Sequence, residues 1–233
     1  ADLTIMEETS EFLERLTQGG VLPMITSCSS AWIKYLEQFY PEMIPHLSTC
    51  KSPMGMLGVI IKSYYAKERG VKPEDILSVA VMPCTAKKSE VEREELKVDE
   101  GKMIDIVVTT REIAWMLKSA GIDFLNIKRE EFDYLLGFSS GAGTVFGVSG
   151  GVMEAALRTA YELHIGEPLV DIEFSALRGF KGIREASLKM GDKDVCVAVA
   201  HGLGNAHTLL ELVKKEPAKY QFIEIMACPG GCI

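Results

Sequence analysis

The 233-residue chain contains no apolar run of about 18 residues, the minimum for a membrane-spanning helix, so a membrane is not its expected partner. It also lacks a basic stripe or arginine-rich run. With 25 Lys and Arg against 33 Asp and Glu the formal net charge is -8, which sets nucleic acid aside as a partner. There is no internal repeat, no low-complexity segment and no signal-peptide pattern. The four histidines show no ligand spacing. The glycine-rich run Ser140 to Gly147 lacks the lysine of a Walker phosphate loop, and no acidic ribose partner follows, so close backbone packing is expected there. Cysteine is sparse too. Six thiols in a chain this long and this regularly patterned are not a disulfide framework, and reduced thiols in an intracellular, cytoplasmic setting are the expectation.

What is present is an ordinary globular composition, 47% hydrophobic and 25% charged, long enough to bury a substantial core as one large domain or two lobes. Strand and helix signals alternate, which makes the class α/β. Three apolar strands run toward a cysteine: Val21 to Ser27 before Cys28, Ile76 to Pro83 before Cys84, and Phe222 to Ala227 before Cys228. Ligands of α/β sheets gather outside the carboxyl ends of the strands, so these thiols read as one convergent soft-metal site. Helices are expected over Ser30 to Tyr40, closed by Pro41, over Pro53 to Arg69, ended by Gly70, over Arg111 to Ser119 after the N-cap candidates Thr109 and Thr110, over Val152 to Leu163, and over Ala206 to Lys214. Asp105 to Val108 reads as a short buried strand, Lys193 to Ala200 as a strand, and the polar stretch Lys87 to Glu100 as a solvated helix or loop.

Cys228-Pro229-Gly230-Gly231-Cys232 is the most specific local motif. Proline and paired glycines favour a tight loop over a helix, and glycine lets the backbone approach a bound object closely. Structural zinc sites more often use cysteine pairs with two intervening residues; two lone cysteines joining one such pair fit an iron–sulfur cluster better. Lys87, three residues after Cys84, can donate to an anionic ligand and help hold a thiolate, whereas Lys88 and Glu92 read as solvated. Glu7, Glu8, Glu11, Glu14 and Arg15 lie at helical spacing; a solvated face is the default for such a run, and a proton relay the functional alternative. The eleven methionines usually mean core filling, though thioethers also line pockets for small apolar ligands.

Taken together, Thr26-Ser27-Cys28-Ser29-Ser30-Ala31-Trp32, Met82 to Glu90, and Glu224 to Cys232 resemble the three signatures of iron-only (FeFe) hydrogenases. Ser48 to Pro53 and Phe146 to Arg158 look like further family stretches. The resemblance implies a single, partial catalytic domain over residues 1–233, two-lobed, with twisted sheets flanked by helices and the cluster in the cleft between lobes. It implies a four-iron, four-sulfur (4Fe-4S) cubane bridged by cysteine to a diiron unit carrying CO, cyanide and a dithiolate. By resemblance Cys84, Cys228 and Cys232 ligate the cubane, with Cys232 as the bridge. Lys87 hydrogen-bonds a cyanide, Met82, Pro83 and Met226 border the diiron unit, Phe146 walls the pocket, and Glu8, Glu11, Arg15, Ser48 and Cys28 form the proton path. A ferredoxin or other electron-transfer subunit, and maturation proteins delivering the diiron unit, are the implied partners.

One departure concerns the first signature, which in the family has two adjacent cysteines and then proline. Here Cys28 is followed by Ser29 and Ser30. Either a serine oxygen ligates iron at Ser29, or the loop shifts and Cys28 becomes the ligand, or the cubane is incomplete. Hard serinate suits iron–sulfur chemistry less well than thiolate. The other departure is at the ends, since the family's domain normally starts before Ala1 and continues past Cys232 into a glycine-rich run, so an excerpt of a larger protein is expected. The alternative to a hydrogenase is a non-catalytic relative, a hydrogen sensor or Narf-like protein binding a cubane alone. A structural zinc site is the third reading.

Overall fold

A computed structural model describes residues 1–98, 101–133, 135–170 and 172–232. The chain divides into two compact units, one formed by Ala1–Ser52 with Ser139–Ile233 and the other by Pro53–Phe138. The first unit opens with helix α1 (Asp2–Gln18), ended by Gly19 in the left-handed region, a turn that glycine makes without steric cost. Strand β1 (Met24–Ile25) and helix α2 (Ser30–Phe39) follow. Only two residues of the expected first strand, Met24 and Ile25, pair as a strand.

The second unit begins with helix α3 (Pro53–Ile60), which continues through a π-helical turn over Ile61–Tyr65 into α4 (Ala66–Arg69) and ends at Gly70 as expected. Strands β2 (Val79–Met82) and β3 (Ile106–Thr109) pair in parallel, with α5 (Ala86–Glu90) and α6 (Thr110–Ser119) after them. Thr109 caps α6 in a reciprocal box with Glu112, so the hydroxyl and carboxylate satisfy two otherwise orphaned N–H groups. Met54, Val91, Met103, Ile104 and Val107 form the local core. β3 is less buried than its apolar sequence implies, since Ile106 faces solvent on one side of a two-stranded sheet. The end of the polar stretch, Asp99 and Glu100, lies outside the described residues.

The chain then returns to the first unit with the short helix α7 (Gly141–Val145), helix α8 (Gly151–Ile165), β4 (Ser175–Ala176), β5 (Ile183–Met190), β6 (Lys193–His201), α9 (Leu203–Lys215) and β7 (Phe222–Met226). The sheet order is β1-β7-β6-β5-β4; β7 is parallel to both β1 and β6, while the β4, β5 and β6 pairings are antiparallel. Strand β5 has no counterpart among the sequence expectations because its charged residues, Arg184, Glu185 and Lys189, interrupt the apolar pattern. Side chains alternate across the sheet. Ile223 and Ile225 join Trp32, Leu36, Leu209 and Leu210 on one face, and Phe222, Val197 and Val199 join Phe12, Met153 and Leu157 on the other.

The Phe12 ring is fully buried and stacks on Phe222 at 4.9 Å, tying α1 to the central strand. Phe12→Ala should therefore destabilise this unit by about 3–5 kcal/mol in urea unfolding, whereas an exposed truncation such as Leu3→Ala should cost far less.

Candidate functional site

On α1, residues 8, 11 and 15 are spaced three and four apart and share a face. The default expectation of a solvated face holds for the exposed Glu7 and Glu14 and fails for Glu8, which is 1% exposed. Packing of α1 against the sheet and α8 is what buries it, and a charged residue type in the sequence does not reveal that. One oxygen of Glu8 has no hydrogen-bond partner. Burial, reinforced by the carboxylates of Glu11 and Glu224, pushes Glu8 up to about 8; the neighbouring Ser48 hydroxyl opposes the shift.

Glu11 is a hub. Its carboxylate accepts from the Ser48 hydroxyl at 2.7 Å, from the Thr49 N–H at 3.0 and 3.1 Å, from the Cys50 thiol at 3.7 Å and from Arg15 at 2.5 Å. The Arg15 fork also donates to the carbonyls of Val21 at 3.2 Å, His46 at 3.4 Å and Leu47 at 2.7 Å, so its position is fixed from three directions. The Ser48 oxygen accepts the Cys50 N–H at 3.1 Å. Cys50 is a member that sequence reasoning missed as a site residue. Burial pushes its thiol up to about 12, with Glu8 and Glu11 adding to the shift and Ser48 opposing it, so it remains a proton donor to Glu11.

The segment carrying Cys28 and Ser29 is fixed at both ends. The Thr26 hydroxyl accepts the Ile225 N–H at 3.2 Å, and its carbonyl accepts from the Trp32 indole at 3.2 Å. The Ser27 hydroxyl donates to the Cys50 carbonyl at 2.7 Å, which ties this segment to the Glu11 cluster. Cys28 is half-buried. Ser29 is the N-cap of α2, and its hydroxyl accepts the Ala227 N–H at 3.4 Å, one residue before Cys228.

Cys228 and Cys232 are exposed, on a tight loop after β7 as expected, although the strand ends at Met226, one residue before Ala227. The loop is held against residues 147–149: Ser149 N–H donates to the Gly230 carbonyl at 2.9 Å and Cys232 N–H to the Gly147 carbonyl at 2.7 Å. A Cβ on Gly231 would come within 2.5 Å of that Gly147 oxygen, and its φ of +121° strains any other residue, so glycine is required twice over. The expectation of close backbone packing in the glycine-rich run is met at its last residue, Gly147.

Phe146, half-buried, precedes this contact, and Met226 is buried at the end of β7. Within the second unit Cys84 and Met82 are half-buried and Pro83 exposed at the end of β2. Lys87 is buried and bonds Glu90 at 2.7 Å, in line with the distinction between it and the solvated Lys88, which pairs with Glu112. Among the described residues no three His, Cys, Asp or Glu side chains are already gathered as for a metal ion. Cys84 belongs to one unit, Cys228 and Cys232 to the other.

Sequence reasoning also passed over Glu224 as an individual residue. It is fully buried on β7, accepting from Gly150 N–H at 2.6 Å and Met153 N–H at 2.8 Å. Burial pushes it up to about 7, against the pull of those N–H groups and of Arg184. The signal was there: one carboxylate inside the apolar run 222–226.

The family model for the iron only hydrogenase large subunit, C-terminal domain, matches residues 1–233, and the chain belongs to that family. It is 50% identical over 235 residues to the periplasmic [Fe] hydrogenase large subunit of Nitratidesulfovibrio vulgaris, covering 100% of this chain and 56% of that protein. It is 32% identical over 256 residues to Protein NAR1 of Arabidopsis thaliana, covering all of this chain and 54% of that one. A solved apo variant of [FeFe]-hydrogenase HydA1 from Chlamydomonas reinhardtii superposes with a TM-score of 0.87 at 43% identity, over 99% of this chain and 66% of that one. The chain thus spans about half the length of the first two relatives and two thirds of the solved one. The α/β class expected from the sequence is the family's fold, and among the described residues no helix is long and apolar enough to cross a membrane.

A group whose folded pKa is raised stabilises the fold fully below its unfolded value and loses that contribution as pH rises through the folded value. For Glu8 the window runs from about 4.5 to about 8. Stability should fall across it by up to about 1.4 kcal/mol per pH unit for that one proton. Glu8→Gln should flatten this part of the profile, read by urea unfolding at pH 5 and pH 8; an unchanged slope would show that Glu8 is not the group responsible.

Proposed function

We propose that this chain is the core of a hydrogenase that interconverts protons and electrons with dihydrogen. The observation that supports this most is the cluster of Glu8, Ser48, Glu11 and Arg15, a set of partly and fully buried acid–base groups for which a structural zinc site or a bare cubane has no use. The group implied by the family is a 4Fe-4S cubane bridged to a diiron unit with CO, cyanide and dithiolate ligands, which supplies the bond-making and the electrons when bound.

The donor set fits such a group. Cys84, Cys228 and Cys232 are cysteine side chains, each half-exposed or exposed beyond a strand end, and soft thiolates are the natural ligands of iron–sulfur clusters. The Cys228–Cys232 loop offers backbone packed closely enough to exclude side chains. The fourth position, in strict register, falls to Ser29, whose hydroxyl lies at the Ala227 N–H beside that loop. By the family resemblance Lys87, held by Glu90, would be the donor toward a cyanide, and Met82, Pro83, Met226 and Phe146 would be the residues about the diiron unit.

In this reading the chain's own residues move the proton. Glu8, pushed up to about 8, holds a proton at neutral pH where an ordinary carboxyl would have lost it. The Ser48 hydroxyl transfers by accepting at its oxygen while giving its own proton to Glu11 Oε2, the bond it already makes at 2.7 Å. Arg15 fixes the Glu11 carboxylate for that exchange. Cys28 Sγ is the inner terminus of this path.

A non-catalytic, Narf-like role is the second reading, favoured by Ser29 standing where the family has its second cysteine and by the likeness to NAR1. Electron delivery falls to a ferredoxin or partner subunit, and relatives named as a large subunit and as an NADP-reducing subunit support an assembly with others. Maturation proteins would deliver the diiron unit. The cytoplasmic expectation gains nothing from the relatives, one of which is periplasmic by name.

The test is anaerobic reconstitution with iron and sulfide, addition of a synthetic diiron mimic, and infrared spectroscopy of the CO and cyanide stretches. Sharpened, shifted bands with hydrogen evolution are expected; cubane absorption without those bands would favour the non-catalytic relative. Glu11→Gln should lower hydrogen evolution about 100-fold while leaving the infrared bands in place. Ser29→Cys should slow iron loss from the cubane, since thiolate replaces the poorer oxygen donor.

A further inference from the structure

Helix α8 begins at Gly151 behind an N-cap, Gly150, that has no side chain to offer, so its first N–H groups need an acceptor from elsewhere. Glu224 supplies it from the neighbouring strand, one oxygen on Gly150 N–H and the other on Met153 N–H. A fully buried carboxylate is a costly way to cap a helix, which points to a demand beyond stability. The same two elements meet again one turn away. Residues 147–149, immediately before α8, hold the cysteine loop that continues from β7, through Ser149 N–H to Gly230 and Cys232 N–H to Gly147. Arg184 from β5 closes the arrangement by donating to the Ser149 carbonyl.

Glu224 and the thiols therefore lie on one short piece of chain, four and eight residues apart, and the partners of both lie within residues 147–153. This forms a closed ring: strand to helix N-terminus through the carboxylate, and helix N-terminus back to the cysteine loop through two backbone hydrogen bonds. Without the carboxylate the helix N-terminus is free to shift, and the carbonyl of Gly147 that positions the Cys232 N–H shifts with it.

We infer that Glu224 is a positioning residue for the iron–sulfur ligands Cys228 and Cys232, setting the geometry of their loop through the N-terminus of α8. The inference rests on the reading that these two cysteines hold the cubane. Glu224→Gln preserves size but presents an NH2 group to one of the two N–H donors. Arg184→Met leaves Glu224 in place and loosens the same turn from its other side.

Both variants are to be compared with the unaltered protein, after anaerobic reconstitution, by iron and sulfide content, the EPR spectrum of the reduced cubane, and the rate of iron release to a chelator, with far-UV circular dichroism to check folding. Supporting ligands of metal sites commonly change affinity 10- to 100-fold. The expected result is full cluster content, an altered EPR signal and release faster by about ten-fold or more in both variants, with the circular dichroism unchanged. Release and EPR identical to the unaltered protein in a folded Glu224→Gln protein would reduce Glu224 to a helix cap and overturn the inference, leaving the hydrogenase reading intact. Should Glu224→Gln fail to fold, normal release and EPR from Arg184→Met overturn it equally. An unaltered protein that takes up no cluster overturns both.

Discussion

Parallel pairing of β7 between β1 and β6 is the constraint on which the first unit depends. Register with β1 sets Met24 opposite Phe222, and register with β6 sets Val199 opposite Glu224. Those two ladders bring three remote stretches together: residues 26–29 after β1, residues 226–232 after β7, and the turn after β6. Hydrogen bonds from Ile225 to Thr26 and from Ala227 to Ser29 carry that alignment past the ends of the strands. The serine of the first signature and the cysteine loop of the third become neighbours through backbone pairing alone.

Burial then determines chemistry. Helix α1 lies across one face of the sheet through Phe12 on Phe222, and the same packing takes Glu8 out of water. A carboxyl in that position holds its proton at neutral pH, while Glu11, one turn on and partly exposed, is surrounded by Ser48, Thr49, Cys50 and Arg15. Two glutamates of one helix therefore take different roles because their environments differ. Glu224 is the third carboxylate of this region, and it is held to α8 by two N–H donors where Glu8 has an oxygen with none.

Family membership makes the presence of a serine at position 29 informative. Around it Trp32 is buried and bonded to Thr26, the cysteine loop is tight, and Glu11 accepts from the Ser48 hydroxyl. Ser29 presents an oxygen donor, harder than sulfur, and Ser30 follows it.

By itself the sequence determined the α/β class, the helices expected over Ser30 to Tyr40 and Val152 to Leu163, and the tight cysteine loop, because periodicity, capping residues and paired glycines act locally. It could not give strand β5, whose charges mask its apolar side, nor the burial of Glu8 and Glu224, nor the place of Cys50 against Glu11. Those were decided by tertiary structure. A carboxylate or thiol carries the same letters whether solvated or buried, and only the packing of distant segments sets how much water it keeps and which donor faces it.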